Sequence, residues 1–170
     1  RLKEKTAMKQ NEIWVIGTDP PCPRCDYLTR MVNDIVVNEL HLPIKLRHIA
    51  YTTSEAKNFA ASLDLEPGTA KDVARLVETG VNWDIVHSLI DTPPNSSTPE
   101  NQCPCCQSIG AKWSPELDEA LRPCQMKAVQ AGIMMTPALI IAGELKHQGS
   151  VPEREQVKTW IRQAFPSMGG

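Results

Sequence analysis

IWVIGTDPPCPRCDYL, residues 13–28, is the stretch on which the fold turns. Its opening IWVIG is short, apolar and β-branched, and TDPP closes it, the pattern of a buried strand. Cys22 and Cys25 follow, three apart, with Pro20, Pro21 and Pro23 around them and Arg24 between them. Leu28, Met31, Val32, Ile35, Val36 and Leu40 then recur at helical spacing and make one apolar stripe. Pro43 breaks this helix, and IKLRHIAY (44–51) alternates apolar and polar as a half-buried strand does. A strand, a helical crossover and a second strand predict two parallel neighbours in one sheet.

The far end is equally regular. TPALIIAGELKHQG (136–149) reads as a strand over Ala138–Ala142, a turn at Gly143–Glu144 and a second strand over Leu145–Gln148, an antiparallel hairpin. In SVPEREQVKTWIRQAF (150–165), Ser150 is the expected helix N-cap, Pro152 falls in the first turn and Glu153 completes a capping box. Val157, Trp160, Ile161, Ala164 and Phe165 form the helix's buried face. Upstream, Leu117, Ala120, Leu121, Cys124, Ala128 and Ala131 share one side of a further helix that Gly132 ends.

Roughly 60 residues separate these halves, too many for an ordinary connection. SEAKNFAASLDL, TAKDVARLVETG and NWDIVHSLI each carry helical periodicity, while DTPPNSSTPENQ (91–102) carries none and reads as a loop. Residues 52–113 are therefore expected to be a mainly helical insertion bearing the cysteine cluster CPCC (103–106).

Composition excludes several classes of function. The net charge is −2, and Lys and Arg are spread along the chain, without the concentrated basic face that nucleic acid or a membrane surface requires. No apolar run approaches the roughly 20 residues of a membrane span. RLKEKTAMKQNEIWVIGTD lacks the order of a secretory leader, so a cytoplasmic location is the expectation. There is no P-loop, GxGxxG, G-x-S-x-G or HExxH. Six cysteines are too few for a disulfide scaffold of this length, so their grouping carries the information.

A strand leading into CxxC at a helix start, a second strand, and then Thr-Pro heading a hairpin before a last helix resembles the thioredoxin-like superfamily. The short, glutaredoxin-like form matches best, since only about a dozen residues precede the first strand. The resemblance covers residues 12–51 and 114–165, as the core of a single α/β domain over 1–170; the insertion departs from it. It implies a βαβ–α–ββα order and a four-stranded mixed sheet flanked by helices. It implies Cys22 as attacking thiol, Cys25 as resolving thiol, and Thr136–Pro137 as a cis peptide against the pair that helps to bind substrate. The implied activity is thiol–disulfide exchange with a protein disulfide or dithiol, or a reductase, using no cofactor beyond the redox-active pair itself.

The residues support that chemistry on physical grounds. A thiolate attacks a disulfide, so the nucleophile needs a lowered pKa and access. Cys22 stands where unpaired backbone N–H groups and the helix dipole favour negative charge. Pro23 suits an early helical position, where its missing N–H costs little. A solvated Arg24 adds positive potential. Three-residue spacing puts Cys25 one turn inward, within disulfide reach and less exposed.

Cys103, Cys105 and Cys106 admit several readings: a second redox relay, a local bridge, or, with a further ligand such as Cys124 or His87, a metal site. A metal-binding or metal-transfer protein that uses Cys22 and Cys25 together with this cluster is thus the alternative function. Cys124 falls on an apolar stripe and reads first as a small buried hydrophobe. His41, His48, His87 and His147 lack ligand spacing and read mostly as surface residues. Asp19 and Asp26 flank the pair, either tuning its protonation or simply favouring a helix start.

Overall fold

The computed structural model describes residues 11–91 and 113–166. Strand β1 (Glu12–Gly17) pairs in parallel with β2 (Lys45–Ala50), Ile13 opposite Leu46 and Ile16 opposite Ile49. The crossover is α1 (Pro23–Asp34), whose last part widens into a π-helical turn over Ile35–Glu39. The other neighbour of β1 is β5 (Ala138–Ile141), antiparallel, and β6 (Glu144–Gln148) completes a mixed four-stranded sheet in the order β2-β1-β5-β6. This is the α/β architecture that the sequence predicted.

Every residue of β1 is buried, because helices cover both faces of the central strands. Ile13 and Val15 point to one face with Leu139 and Ile141, under α1 and the terminal helix α7 (Arg154–Ala164). Trp14 and Ile16 point to the other face with Ala138 and Ile140, under α2 (Ser54–Ala61), which contributes Ala56, Phe59 and Ala60. The period of two is what lets one short strand serve both cores.

The segment expected as an insertion is more than an appendage. Besides α2 it supplies β3 (Glu66–Gly68), α3 (Ala70–Leu76) and α4 (Trp83–Asp91). Strand β3 pairs in parallel with β4 (Ile133–Met135), forming a second small sheet just before the hairpin. Val73, Val86, Leu117, Leu121, Cys124 and Met135 share a third apolar cluster around it.

Three local expectations are corrected. The helix expected over 117–131 is two short ones, α5 (Pro115–Ala120) and α6 (Arg122–Lys127), because Leu121 leaves helical geometry and Pro123 suits the first turn of a new helix. The hairpin turns at Ala142–Gly143, one residue earlier than expected; both have positive φ (52° and 87°), as a type I′ turn demands. The terminal helix is capped at Glu153, without a side-chain cap, rather than at Ser150. The Ser150 hydroxyl is instead held by Gln125 Nε2 (2.9 Å) and His147 Nε2 (2.7 Å).

Candidate functional site

Cys22 is the N-cap of α1, extended at φ −73°, and its sulfur accepts the Cys25 backbone N–H at 3.4 Å. Pro23 opens the helix behind it. The loop from β1 is folded by Thr18, whose hydroxyl accepts the Cys22 N–H (2.8 Å) and donates to Pro20 O (2.9 Å). Asp19–Pro20 and Thr136–Pro137 are both cis.

Both cysteines are free thiols, Cys22 half-buried and Cys25 fully buried, with their sulfurs hydrogen-bonded at 3.1 Å. With Cys22 ionised, the Cys25 S–H is the donor. That bond is the main reason the Cys22 pKa falls from 9.0 to about 6; the Arg24 charge and the Cys25 and Arg24 N–H groups add to it, against the opposing effect of burial. Cys25 is pushed far upward by the same hydrogen bond, by burial and by the negative charge on Cys22. The two thiols are thus electrostatically unlike, one poised as thiolate and one held as thiol.

Gly17, the last residue of β1, makes the close packing around Cys25 feasible. A Cβ there would lie 2.5 Å from Cys25 Sγ and 3.1 Å from His48 Cε1. His48 is half-buried rather than a surface residue, its ring bridging Thr18 O (3.0 Å) and the Thr29 hydroxyl (3.2 Å).

Arg24 is not solvated as expected. It is 4% exposed and donates to Asp118 Oδ1 (3.1 Å), to Thr136 O (3.1 Å) and to Gly149 O. Asp118 Oδ2 accepts the Trp113 indole N–H (2.8 Å) and the Val151 N–H (3.0 Å). Trp113 stacks on Tyr27 at 4.4 Å, so Arg24, just before Cys25, is the hub linking α1, α5 and the hairpin. Gly149, at φ +87°, has no room for a side chain against Gln125, and its carbonyl is thereby free to face Arg24.

Thr136 is 2% exposed, and both its backbone groups are engaged: its N–H donates to Gly68 O (2.8 Å) and its carbonyl accepts Arg24. Pro137 is buried. Asp26 forms an i,i+4 pair with Arg30 at 3.1 Å, the ordinary helix role. Cys124 is fully buried among apolar residues, its pKa raised by burial. Cys103, Cys105 and Cys106 lie outside the described residues. Among the described residues no cluster of His, Cys, Asp or Glu has a metal-holding arrangement, and no helix is long and apolar enough to cross a membrane.

Sequence reasoning missed Asp118, Thr18 and Gly17. Asp118 sits 94 residues from Arg24 in an acid-rich first helical turn, where nothing local distinguishes it from a helix starter. Gly17 carried a signal, a glycine ending a strand just before CxxC, which marks a close approach.

A family model described as a thioredoxin domain matches residues 100–162, a span that takes in α5, α6, the hairpin and most of α7 and excludes Cys22 and Cys25. No curated protein and no solved structure matches the chain. That match covers little more than a third of the chain; together with the mixed sheet ordered β2-β1-β5-β6 and flanked by helices, it supports a thioredoxin-like fold.

Proposed function

We propose that the chain is a thiol–disulfide oxidoreductase in which Cys22 attacks and Cys25 resolves. The observation that carries this reading is the asymmetry of the pair: a partly buried Cys22 at a helix N-cap, its sulfur 3.1 Å from that of a fully buried Cys25. The Cys22 thiolate attacks one sulfur of a partner disulfide; that S–S bond breaks, and the departing sulfur leaves as thiolate and takes a proton from water. Cys25 then gives up its proton to solvent and attacks Cys22, forming the Cys22–Cys25 disulfide and releasing the partner's second thiol. Two electrons pass to the partner, and each step runs in reverse on a dithiol. The cysteine pair is the only redox group this cycle needs. We read residues 12–51 and 114–165, with the helices between them, as one thioredoxin-like unit acting on protein partners.

The test is trapping. Cys25→Ser mixed with an activated aromatic disulfide is expected to accumulate a stable mixed disulfide on Cys22, and Cys22→Ser to accumulate little. Equal accumulation in the two variants would sink the assignment.

A further inference from the structure

A cavity of about 340 Å³ has Cys22 in its wall, near the lower end of the roughly 300–1,000 Å³ of ligand sites. Trp83, Val86 and Ile90 line it from one face of α4, at helical spacing, and Leu117 and Leu121 close it from the α5 side. The rim carries the Lys71 cation and an imidazole. Lys71 lies with Nζ 5.8 Å above the Trp83 ring, and His87 projects one turn along from Trp83 on the exposed side of α4. Among the described residues no carboxylate lines the cavity, and the Arg24 that forms part of its wall is already paired with Asp118.

An apolar floor, a cationic rim and a nucleophile in the same wall define the occupant. A sulfur bonded to Cys22 is held at the cavity wall, so the group that fills the cavity must be attached close to that sulfur. A side chain adjacent to the partner's cysteine meets this condition. We propose that the cavity is a specificity pocket for a polypeptide partner whose reactive cysteine neighbours a bulky apolar residue, with an acidic residue beside it facing Lys71 and His87. This deepens the oxidoreductase reading and rests on it. The pocket is built largely by α3 and α4, so the segment between β2 and α5 serves to choose the partner.

The experiment compares disulfide-bonded peptides with the full chain. Four peptides carry Leu or Ala next to the cysteine and Glu or Lys one residue further, and hydroxyethyl disulfide serves as a side-chain-free substrate. The Leu–Glu peptide is expected to exceed the Ala–Lys peptide about tenfold or more in kcat/KM, the range that burying one aliphatic side chain supplies. Trp83→Ala is expected to bring the Leu:Ala ratio toward one. The exposed Lys71→Glu, which removes no core side chain, is expected to reverse the Glu:Lys preference. Equal rates on all four peptides, or a preference that both variants leave intact, overturns the pocket while turnover of hydroxyethyl disulfide keeps the oxidoreductase reading. Faster turnover of a small apolar carboxylate disulfide than of any peptide overturns the polypeptide assignment. Failure on every disulfide removes both readings.

Discussion

The asymmetric pair predicts how the redox potential depends on pH. Below the Cys22 pKa, reduction of the disulfide takes up two protons with two electrons; above it, one proton only. The midpoint potential should fall by about 59 mV per pH unit in acid and by about 30 mV per unit beyond the break. With Cys22 lowered from 9.0 to about 6 and Cys25 raised, the break belongs near pH 6, with no second break up to pH 8. Measured potentials should therefore rise above the extended acid line by about 30 mV at pH 7 and about 60 mV at pH 8. The assay equilibrates the protein with thiol–disulfide buffers at each pH, quenches in acid, alkylates and weighs the two states. Cys103, Cys105 and Cys106 are replaced by serine; the buried Cys124 is alkylated in both states, so only Cys22 and Cys25 change the mass. Stability follows the same sign. A depressed Cys22 adds stability to the reduced protein that is complete above pH 9 and lost as pH falls through about 6, with an upper bound of about 4 kcal/mol. The raised pKa of Cys25 works the other way, only above pH 9. A single slope of about 59 mV per unit up to pH 8 would refute the reasoning, because Cys22 would then be an ordinary protonated thiol.

Three further outcomes test the surroundings of the pair. Cys25→Ala removes the donor that lowers Cys22 most, so Cys22 should titrate closer to 9.0, whereas Cys25→Ser keeps a donor and should hold it lower; ultraviolet thiolate absorbance against pH reads both, and identical curves would contradict the assigned cause. Gly17→Ala places a methyl group where Cys25 Sγ already lies, which should cost about 1–3 kcal/mol in urea unfolding and slow the release of a mixed disulfide; wild-type stability and rate together would mean that Cys25 is not packed there. Arg24→Met strands Asp118 in the interior and should cost about 3–5 kcal/mol, part of which Arg24→Met with Asp118→Asn should recover; a single mutant as stable as wild type by thermal melting would remove the buried pair from the account.

The parts legible in the sequence are those whose signal is local. The strand at 12–17, the α1 stripe, the hairpin and the terminal helix all announce themselves through periods of two or 3.6 against a buried neighbour. The proximity of Cys22 and Cys25 was readable because one turn of helix brings them together. Strand β3 was not, since Glu-Pro-Gly has no strand propensity and owes its form to pairing with β4. The cap at Ser150 misled for a related reason: its hydroxyl could satisfy either the helix or Gln125 and His147, and only tertiary packing decided between them. Arg24 looked solvated because its acid partner lies on another helix.

That β3 was missed matters for the site as well as for the fold. An unpaired strand edge is a template on which an extended partner can pair its backbone. Here the edge leading to Pro137 is closed from within. Strand β3 runs alongside β4, Gly68 O accepts the Thr136 N–H, and Arg24, just before Cys25, donates to the Thr136 carbonyl. A partner approaching Cys22 therefore finds no free backbone group at Thr136 to pair with. On the reading proposed above, discrimination among partners then falls to side chains, and the surface that Cys22 shares with α3, α4 and α5 is apolar below and carries Lys71 at its rim. The segment that closes the edge also lines the pocket, so on the oxidoreductase reading proposed above it favours recognition by side-chain shape and charge over recognition by backbone pairing.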